Sequence, residues 1–374
     1  MKRTTAEQLL GALRLIDNEV TANARVSWTD ADIQGVRALL LFEGAELWLY
    51  RQVQRGRINV PDALKSDLRT AAHRISVINM RVDAQTIAVT NLLRTESIPW
   101  VLMKGQARRA AVAIYPFADA RLVSDVDLLL PEAQAKSAWQ LLCIQGFRRV
   151  FTGDVAWSAD HHLPALIDDS NVSVELHTTT MMSVPPAEAW HRLAENGDEV
   201  QWNGIVTHVP NATELVWQAL SHGAADASEG YTLKAFLSVA AILAVNDNID
   251  WPLIHGRVWN SETLDAVTQQ PVPRELLKNF LDISAGLAGI AVPPVLAARP
   301  RARIVPLLVW RAWVLSSSLP KALQGRMLEE STRVEVWQPI SPFVSGAGAY
   351  RNLRRRISSI IARTAYVLWR RFAN

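Results

Sequence analysis

At 374 residues the chain has material for two or three domains and an ample core. With 49% hydrophobic and 20% charged residues it is a globular protein, which excludes a disordered polymer. Its one cysteine, Cys143, excludes an intrachain disulfide framework and suits a reducing compartment. The formal charge of +3 conceals an asymmetry. Residues 283–374 hold 14 Lys and Arg against 3 Asp and Glu, a net of +11, while residues 1–282 carry a net of −8. Such a split marks a basic face for an anionic partner: nucleic acid, anionic lipid or a phosphorylated substrate. The N-terminus, Met1-Lys-Arg-Thr-Thr-Ala, lacks the long apolar segment of a secretory signal. No run of about 18 apolar residues predicts a spanning helix. The expected location is cytoplasmic, with peripheral contact at the inner membrane as an extension of the basic C-terminal region.

Residues 1–95 read as helical. Thr29-Asp-Ala-Asp32 resembles a capping box ahead of a periodic run through Leu39, Leu40, Phe42, Leu47 and Leu49. Pro61-Asp62 opens another helix, and residues 70–94 are amphipathic and free of Gly and Pro. The texture changes at Ser97-Ile-Pro-Trp. Ile98 to Met103 predicts a short buried strand, ended by Lys104-Gly105, and Gln106 to Ile114 an Ala-rich helix broken at Tyr115-Pro-Phe117. Ala118 to Val123 reads as a loop, Leu122 to Leu130 as a strand, and Pro131 to Gly146 as a helix stopped by its glycine. Phe147–Thr152, His162–Ile167 and Val172–His177 are strand candidates, with Asp168-Asp-Ser-Asn171 as the turn between the last two. Thr213–His222, Thr232–Val245 and a start at Asp250-Trp-Pro return the chain to helix. The expected units are an N-terminal helical region (1–95), a catalytic core (96–210), a helical domain (211–295) and a basic helical C-terminal region (296–374).

The chemistry gathers around Ser124-Asp125-Val126-Asp127-Leu128-Leu129-Leu130. A strand turns its side chains over with period two, so Asp125 and Asp127 share one face while Val126 and Leu128 enter the core. Two carboxylates side by side repel unless a cation sits with them, and a divalent metal is the simplest such cation. In Val172-Ser-Val-Glu-Leu-His177 the alternation places Glu175 and His177 on one polar face, which makes Glu175 a third carboxylate from a neighbouring strand. Three carboxylates on adjacent strands can bind two divalent ions about 4 Å apart. All-oxygen ligands favour Mg²⁺ or Mn²⁺ over Zn²⁺. Lys104-Gly105, between a strand and a helix, offers a point charge and a close backbone approach for phosphate oxygens. Arg121 stands where it can meet a phosphate or pair with the acids. His177 can orient Glu175, contact substrate or serve as a hydrogen-bonded structural histidine. His161-His162 has no further ligands at zinc spacing. No G-x-x-x-x-G-K-[ST], G-x-G-x-x-G or G-x-S-x-G occurs, which argues against P-loop, dinucleotide-binding and nucleophile-elbow chemistry.

Leu102-Met-Lys-Gly105, Tyr115, Arg121, Asp125-Val-Asp127-Leu-Leu-Leu130, a helix ending in Gly146-Phe147, and Val174-Glu-Leu-His177 occur in an order that resembles the bacterial "uncharacterised nucleotidyltransferase" family, within the DNA polymerase β-type nucleotidyltransferase superfamily. Glu214-Leu-Val-Trp-Gln-Ala-Leu-Ser-His222 and Leu233 to Trp251 echo its C-terminal half, so the resemblance covers roughly residues 75–260. It implies an α+β fold: a polymerase β-like core with a small mixed sheet, flanked by helical regions. It implies Asp125, Asp127 and Glu175 as catalytic metal ligands, and Lys104, Gly105, Arg121, Ser124 and His177 around the nucleotide. The implied reaction moves a nucleotidyl group from an NTP, ATP among them, to an acceptor. The sequence departs from the superfamily in having Lys-Gly where the phosphate turn is usually Gly-Ser or Gly-Gly. It also has 19 residues between Gly105 and Asp125, a longer gap than usual.

The leading expectation is a Mg²⁺- or Mn²⁺-dependent nucleotidyltransferase with a small-molecule, peptide or glycan-precursor acceptor. The alternative is a non-catalytic nucleotide-binding or scaffold protein that docks through its basic C-terminal region. Arg351 to Phe372 reads as an amphipathic helix with seven arginines and no acid. It suits a helix docked on the protein's own core or one lying on a membrane or partner. Trp310 and Trp313 beside Arg311 suggest a membrane interface. Action on nucleic acid rests on the basic tail alone, with no recognised binding motif beside it.

Overall fold

The computed structural model describes residues 1–15, 24–113, 115, 118–150, 163–180, 183–225, 233–260, 262–263, 271–298, 304–317, 321 and 324. His161-His162 and the basic segment 351–372 lie outside the described residues.

The N-terminal region is helical, as its periodicity predicts: α1 (Arg3–Leu13), α2 (Asp30–Glu43), α3 (Glu46–Gln54) and the long α4 (Asp62–Thr95). Two short strands, β1 (Ala24–Arg25) and β2 (Ile58–Asn59), pair in parallel beside them. The capping box forms. Thr29 accepts from the Asp32 N–H, and the Asp32 carboxylate accepts from the Thr29 N–H at 3.2 Å. Each bond satisfies a helix-start donor that would otherwise be orphaned. α4 buries Leu64, Leu68, Ala72, Ile75, Val82, Val89 and Leu93 along one stripe, which holds the 34-residue helix against the rest of the molecule.

The centre is a seven-stranded mixed sheet built from β3 (Val101–Leu102), β4 (Asp125–Leu129), β5 (Arg148–Arg149), β6 (Leu166–Ile167), β7 (Ser173–His177), β8 (Asp198–Trp202) and β9 (Ile205–Val209). The spatial order is β5-β6-β7-β4-β3-β9-β8. β4 lies between β7, which runs parallel to it, and β3, which runs antiparallel. α5 (Lys104–Ala110) follows β3 directly, and α6 (Glu132–Ile144) follows β4. With helices before and after, the architecture is the α+β core flanked by helices that the sequence predicts.

Three local features matter, the first two being departures from the sequence reading. Only Val101 and Leu102 of the predicted strand 98–103 pair in the sheet, and the helix begins at Lys104, two residues ahead of its predicted start. Lys104-Gly105 is therefore the first turn of α5. The second is a hairpin absent from the sequence reading: β8 and β9 join through Asn203-Gly204, both with positive φ (46° and 81°). Asn-Gly tolerates this conformation with little strain, and it is the preferred two-residue turn between antiparallel strands. The third is the turn before β7. There Asn171 takes φ 60° and the Ser170 N–H donates to Asp168 Oδ1 at 2.8 Å, as its Asp-Asp-Ser-Asn composition predicts.

Beyond the sheet come the short α7 (Pro186–Trp190), α8 (Ala212–Ala225), α9 (Leu233–Leu243), α10 (Trp251–Trp259), α11 (Arg274–Ala288) and α12 (Ile304–Ser316). One continuous hydrophobic core runs from Ala6 to Ala312 and takes in Val126, Leu128, Val174 and Leu176 from the central strands. Arg311 is fully buried and ion-paired with Glu43 of α2. It faces the protein interior; the side chains of Trp310 and Trp313, the residues expected at a membrane interface, lie outside the described residues. Among the described residues no helix is long and apolar enough to cross a membrane.

Candidate active site

The site begins with strand periodicity. Val126, Leu128, Val174 and Leu176 are at most 1% exposed and fill the core side of β4 and β7. The opposite face carries Asp125, Asp127 and Leu129 from β4 and Ser173, Glu175 and His177 from β7. The parallel register sets Asp127 opposite Glu175 and Asp125 opposite Ser173. Two acids that lie 48 positions apart in the chain thus become direct cross-strand neighbours. Like charges so placed destabilise a sheet unless they are compensated.

Lys104 and His177 supply the compensation. Lys104 Nζ lies 2.7 Å from Asp127 Oδ1 and 3.6 Å from Glu175 Oε2. His177 Nε2 lies 2.8 Å from the same Asp127 oxygen and 3.5 Å from Glu175 Oε2. Asp127 is 1% exposed and His177 wholly buried. Burial pushes the Asp127 carboxyl upward, but the Lys104 ammonium and the His177 hydrogen bond overcome it and hold Asp127 well below the usual carboxylate range. Glu175 is likewise held low, burial being outweighed by His177 and Lys104. The carboxylates in turn raise Lys104 above the ordinary ammonium range against its own burial. Asp125 behaves differently. Burial and the neighbouring Asp127 raise its pKa above the ordinary aspartate value.

Lys104 reaches the carboxylates at a cost to its backbone, which takes φ 45°, a left-handed conformation that a glycine adopts freely. Strain of this kind persists where surrounding structure enforces it. Gly105 has a separate reason to be glycine. A Cβ there would meet Val123 Cγ1 at 2.9 Å, so α5 can close onto the loop entering β4 only with no side chain at this position. Arg121 lies in that loop, and its Nη1 donates to Ser238 Oγ of α9. Ser124 is exposed at the strand entrance.

A residue that sequence reasoning missed anchors the loop. Asn79, 2% exposed in the middle of α4, donates to the Arg121 carbonyl at 2.9 Å and accepts from the Val123 N–H at 3.0 Å. Its signal was a polar side chain on the apolar stripe of a long helix, between Ile75 and Val82. Arg108, one helical turn beyond Lys104, and Lys234 of α9 also went unnoticed, since neither carries a local motif.

The grouping differs from the expected one in one respect. Ligand atoms of Asp127, Glu175 and His177 lie within 4.8 Å of one another and could hold a metal ion, while Asp125 stands outside that set on the same strand face. The donor chemistry fits a divalent cation: two clustered carboxylates whose mutual repulsion a cation relieves, with an imidazole in reach.

A family model described as uncharacterised nucleotidyltransferase matches residues 29–269. The chain belongs to that family. The match takes in the whole β3–β9 sheet, the carboxylate strands and the helices α8 and α9. A search of curated proteins found no match. Family membership makes the protein a transferase with a nucleotide substrate, and the buried Asp-Glu-His cluster fits metal dependence.

Proposed function

We propose that this nucleotidyltransferase moves a nucleoside monophosphate from an NTP to an acceptor hydroxyl, with Mg²⁺ or Mn²⁺ held by Asp125, Asp127 and Glu175. The observation that supports it most is the β4–β7 register, which turns three separated acids toward one face beside a buried histidine. Bound divalent cations, two on this carboxylate set, would supply Lewis-acid stabilisation of the charge developing on the transferred phosphate. The acceptor oxygen attacks the α-phosphorus, the bond from that phosphorus to the β-phosphate oxygen breaks, and pyrophosphate departs. A carboxylate of the trio takes the acceptor's proton. His177 fixes the Asp127 carboxylate through the 2.8 Å contact. Lys104 neutralises Asp127 and Glu175 between turnovers.

Asp127→Asn keeps the shape of the site and removes its most buried charge. With labelled NTP, Mg²⁺ and a cell extract supplying acceptors, the wild type should label a product and Asp127→Asn should lose at least 100-fold in rate, on the order of the loss of one strong transition-state contact. Undiminished labelling by Asp127→Asn would remove the proposal. The mass of the product would identify the acceptor class, among small molecules, peptides and glycan precursors.

A further inference from the structure

Beside the carboxylates lies a second cluster, of opposite sign. Lys104 and Arg108 stand four residues apart on α5 and so share a face. Lys104 is committed to Asp127 and Glu175. Arg108 has no such commitment: it is 2% exposed, its Nε has no hydrogen-bond partner, and it makes no ion pair among the described residues. Arg121 enters from the loop before β4 and is held to α9 by its bond to Ser238, while its buried Nε is also without a partner. Lys234 lies one turn before Ser238 on the same helix, and it too makes no ion pair among the described residues. The buried Tyr115 interacts with both arginines.

These cations feel one another. Burial, with the Arg121 charge added, brings Arg108 down to about 9. Arg121 above all, then burial, brings Lys234 down to about 7. Asp125 acts in the opposite direction on Lys234, and Asp125 and Asp127 on Arg121, but these acids are already shared with Lys104. Glu43, the other acid near Lys234, is bonded to Arg311 and to the Leu233 N–H. A buried charge without a partner is among the costliest arrangements in a protein, and like charges nearby add to the cost.

We infer that Arg108, Arg121 and Lys234 form a polyphosphate pocket that takes the β- and γ-phosphates of the donor nucleotide. Three convergent cations exceed what a monoanion can balance, whereas a di- or triphosphate matches them. Guanidinium groups offer paired donors to phosphate oxygens, and the lysine adds a point charge. Asp125 interacts electrostatically with both Arg121 and Lys234, so in this assignment the α-phosphate of such a ligand lies toward the carboxylates and the leaving pyrophosphate toward the cations. The assignment moves the phosphate contact away from Lys104-Gly105, whose lysine is bonded to the acids and whose glycine packs on Val123. That the polyphosphate belongs to a donor nucleotide rests on the function proposed above; the anion pocket itself does not.

The test is calorimetric titration of the full chain in EDTA with pyrophosphate, ATP and AMP, for the wild type, Arg108→Met, Arg121→Gln, Lys234→Met and Arg108→Lys. Pyrophosphate and ATP should bind the wild type competitively and more tightly than AMP. Each neutralising substitution should weaken both at least tenfold, and Arg108→Lys less. Melting provides a second readout. Lys234→Met should raise the melting temperature of the ligand-free protein by relieving repulsion and should abolish the rise that pyrophosphate causes in the wild type; a merely structural lysine would lower it. If Arg108→Met fails to fold, Arg121→Gln and Lys234→Met decide. Undiminished pyrophosphate binding in those variants, or none in the wild type, would overturn the pocket. Pyrophosphate binding that ATP does not displace would overturn its assignment to the donor. Asp127→Asn separates the two readings, since it should keep pyrophosphate binding while losing transfer.

Discussion

Lys104 carries the sharpest test of how the site is held together. Its ammonium lies 2.7 Å from a carboxylate that is 1% exposed. At an effective dielectric of about 20 that separation corresponds to roughly 6 kcal/mol of gross attraction. Desolvation of the ammonium offsets part of it, and breaking a buried pair by removing one partner costs about 3–5 kcal/mol in practice. Glu175 is partly open to water, so Lys104→Met should cost about 3 kcal/mol, the lower end of that range. For a unit of about 300 residues, the span of the continuous core, this lowers the melting temperature by about 5 °C. Lys104→Gly loses the same charge but relieves the φ of 45°, a gain of about 1 kcal/mol, and should be the milder variant. Calorimetric melting in EDTA reads both. Mn²⁺ should restore much of the lost stability in each, because a divalent cation can then neutralise Asp127 and Glu175. A melting temperature unchanged in Lys104→Met, or a Gly variant less stable than the Met variant, would refute the reasoning.

Asn79→Ala removes both bonds that pin the loop at Arg121 and Val123 and should cost about 2 kcal/mol, measured by urea unfolding. It should also weaken pyrophosphate binding through Arg121 while leaving Arg108 in place. The acid response follows from the depressed carboxylates. Asp127 and Glu175 titrate below their ordinary values of 3.8 and 4.5, so their contribution to stability is complete above about pH 4.5 and is lost as pH falls through their folded values. Urea midpoints between pH 3 and 6 should show this loss in the wild type, and a shallower slope in Asp127→Asn. An equal slope in the two proteins would mean that Asp127 is not held low.

Much of the catalytic half was legible in the sequence because strands announce themselves by alternation. Ser173–His177 and Asp125–Leu129 each read as period two, and the acids fell on the predicted faces. The N-terminal helices were legible from caps and stripes, as at Thr29–Asp32 and Pro61. The β8–β9 hairpin was missed although Asn203-Gly204 is a strong local turn signal. Predicted strand 98–103 shrank to two paired residues because pairing depends on what neighbours a strand finds. In the sequence Lys104 and Gly105 read as one phosphate-binding turn. The fold separates them, since a lysine aimed at acids and a glycine pressed on Val123 answer to different neighbours.

By itself the sequence determined the family, the carboxylate strands and the side of each strand its acids occupy, because these depend on short-range order and side-chain period. Tertiary structure alone decided what the acids meet. The parallel register set Asp127 beside Glu175, α5 delivered Lys104 to them, and α4, α5 and α9 brought Asn79, Arg108 and Lys234 around the loop carrying Arg121. Those residues lie as much as 155 positions apart in the chain, from Asn79 to Lys234. Charge acts through space and not along the chain, so no local pattern could have shown that these side chains converge.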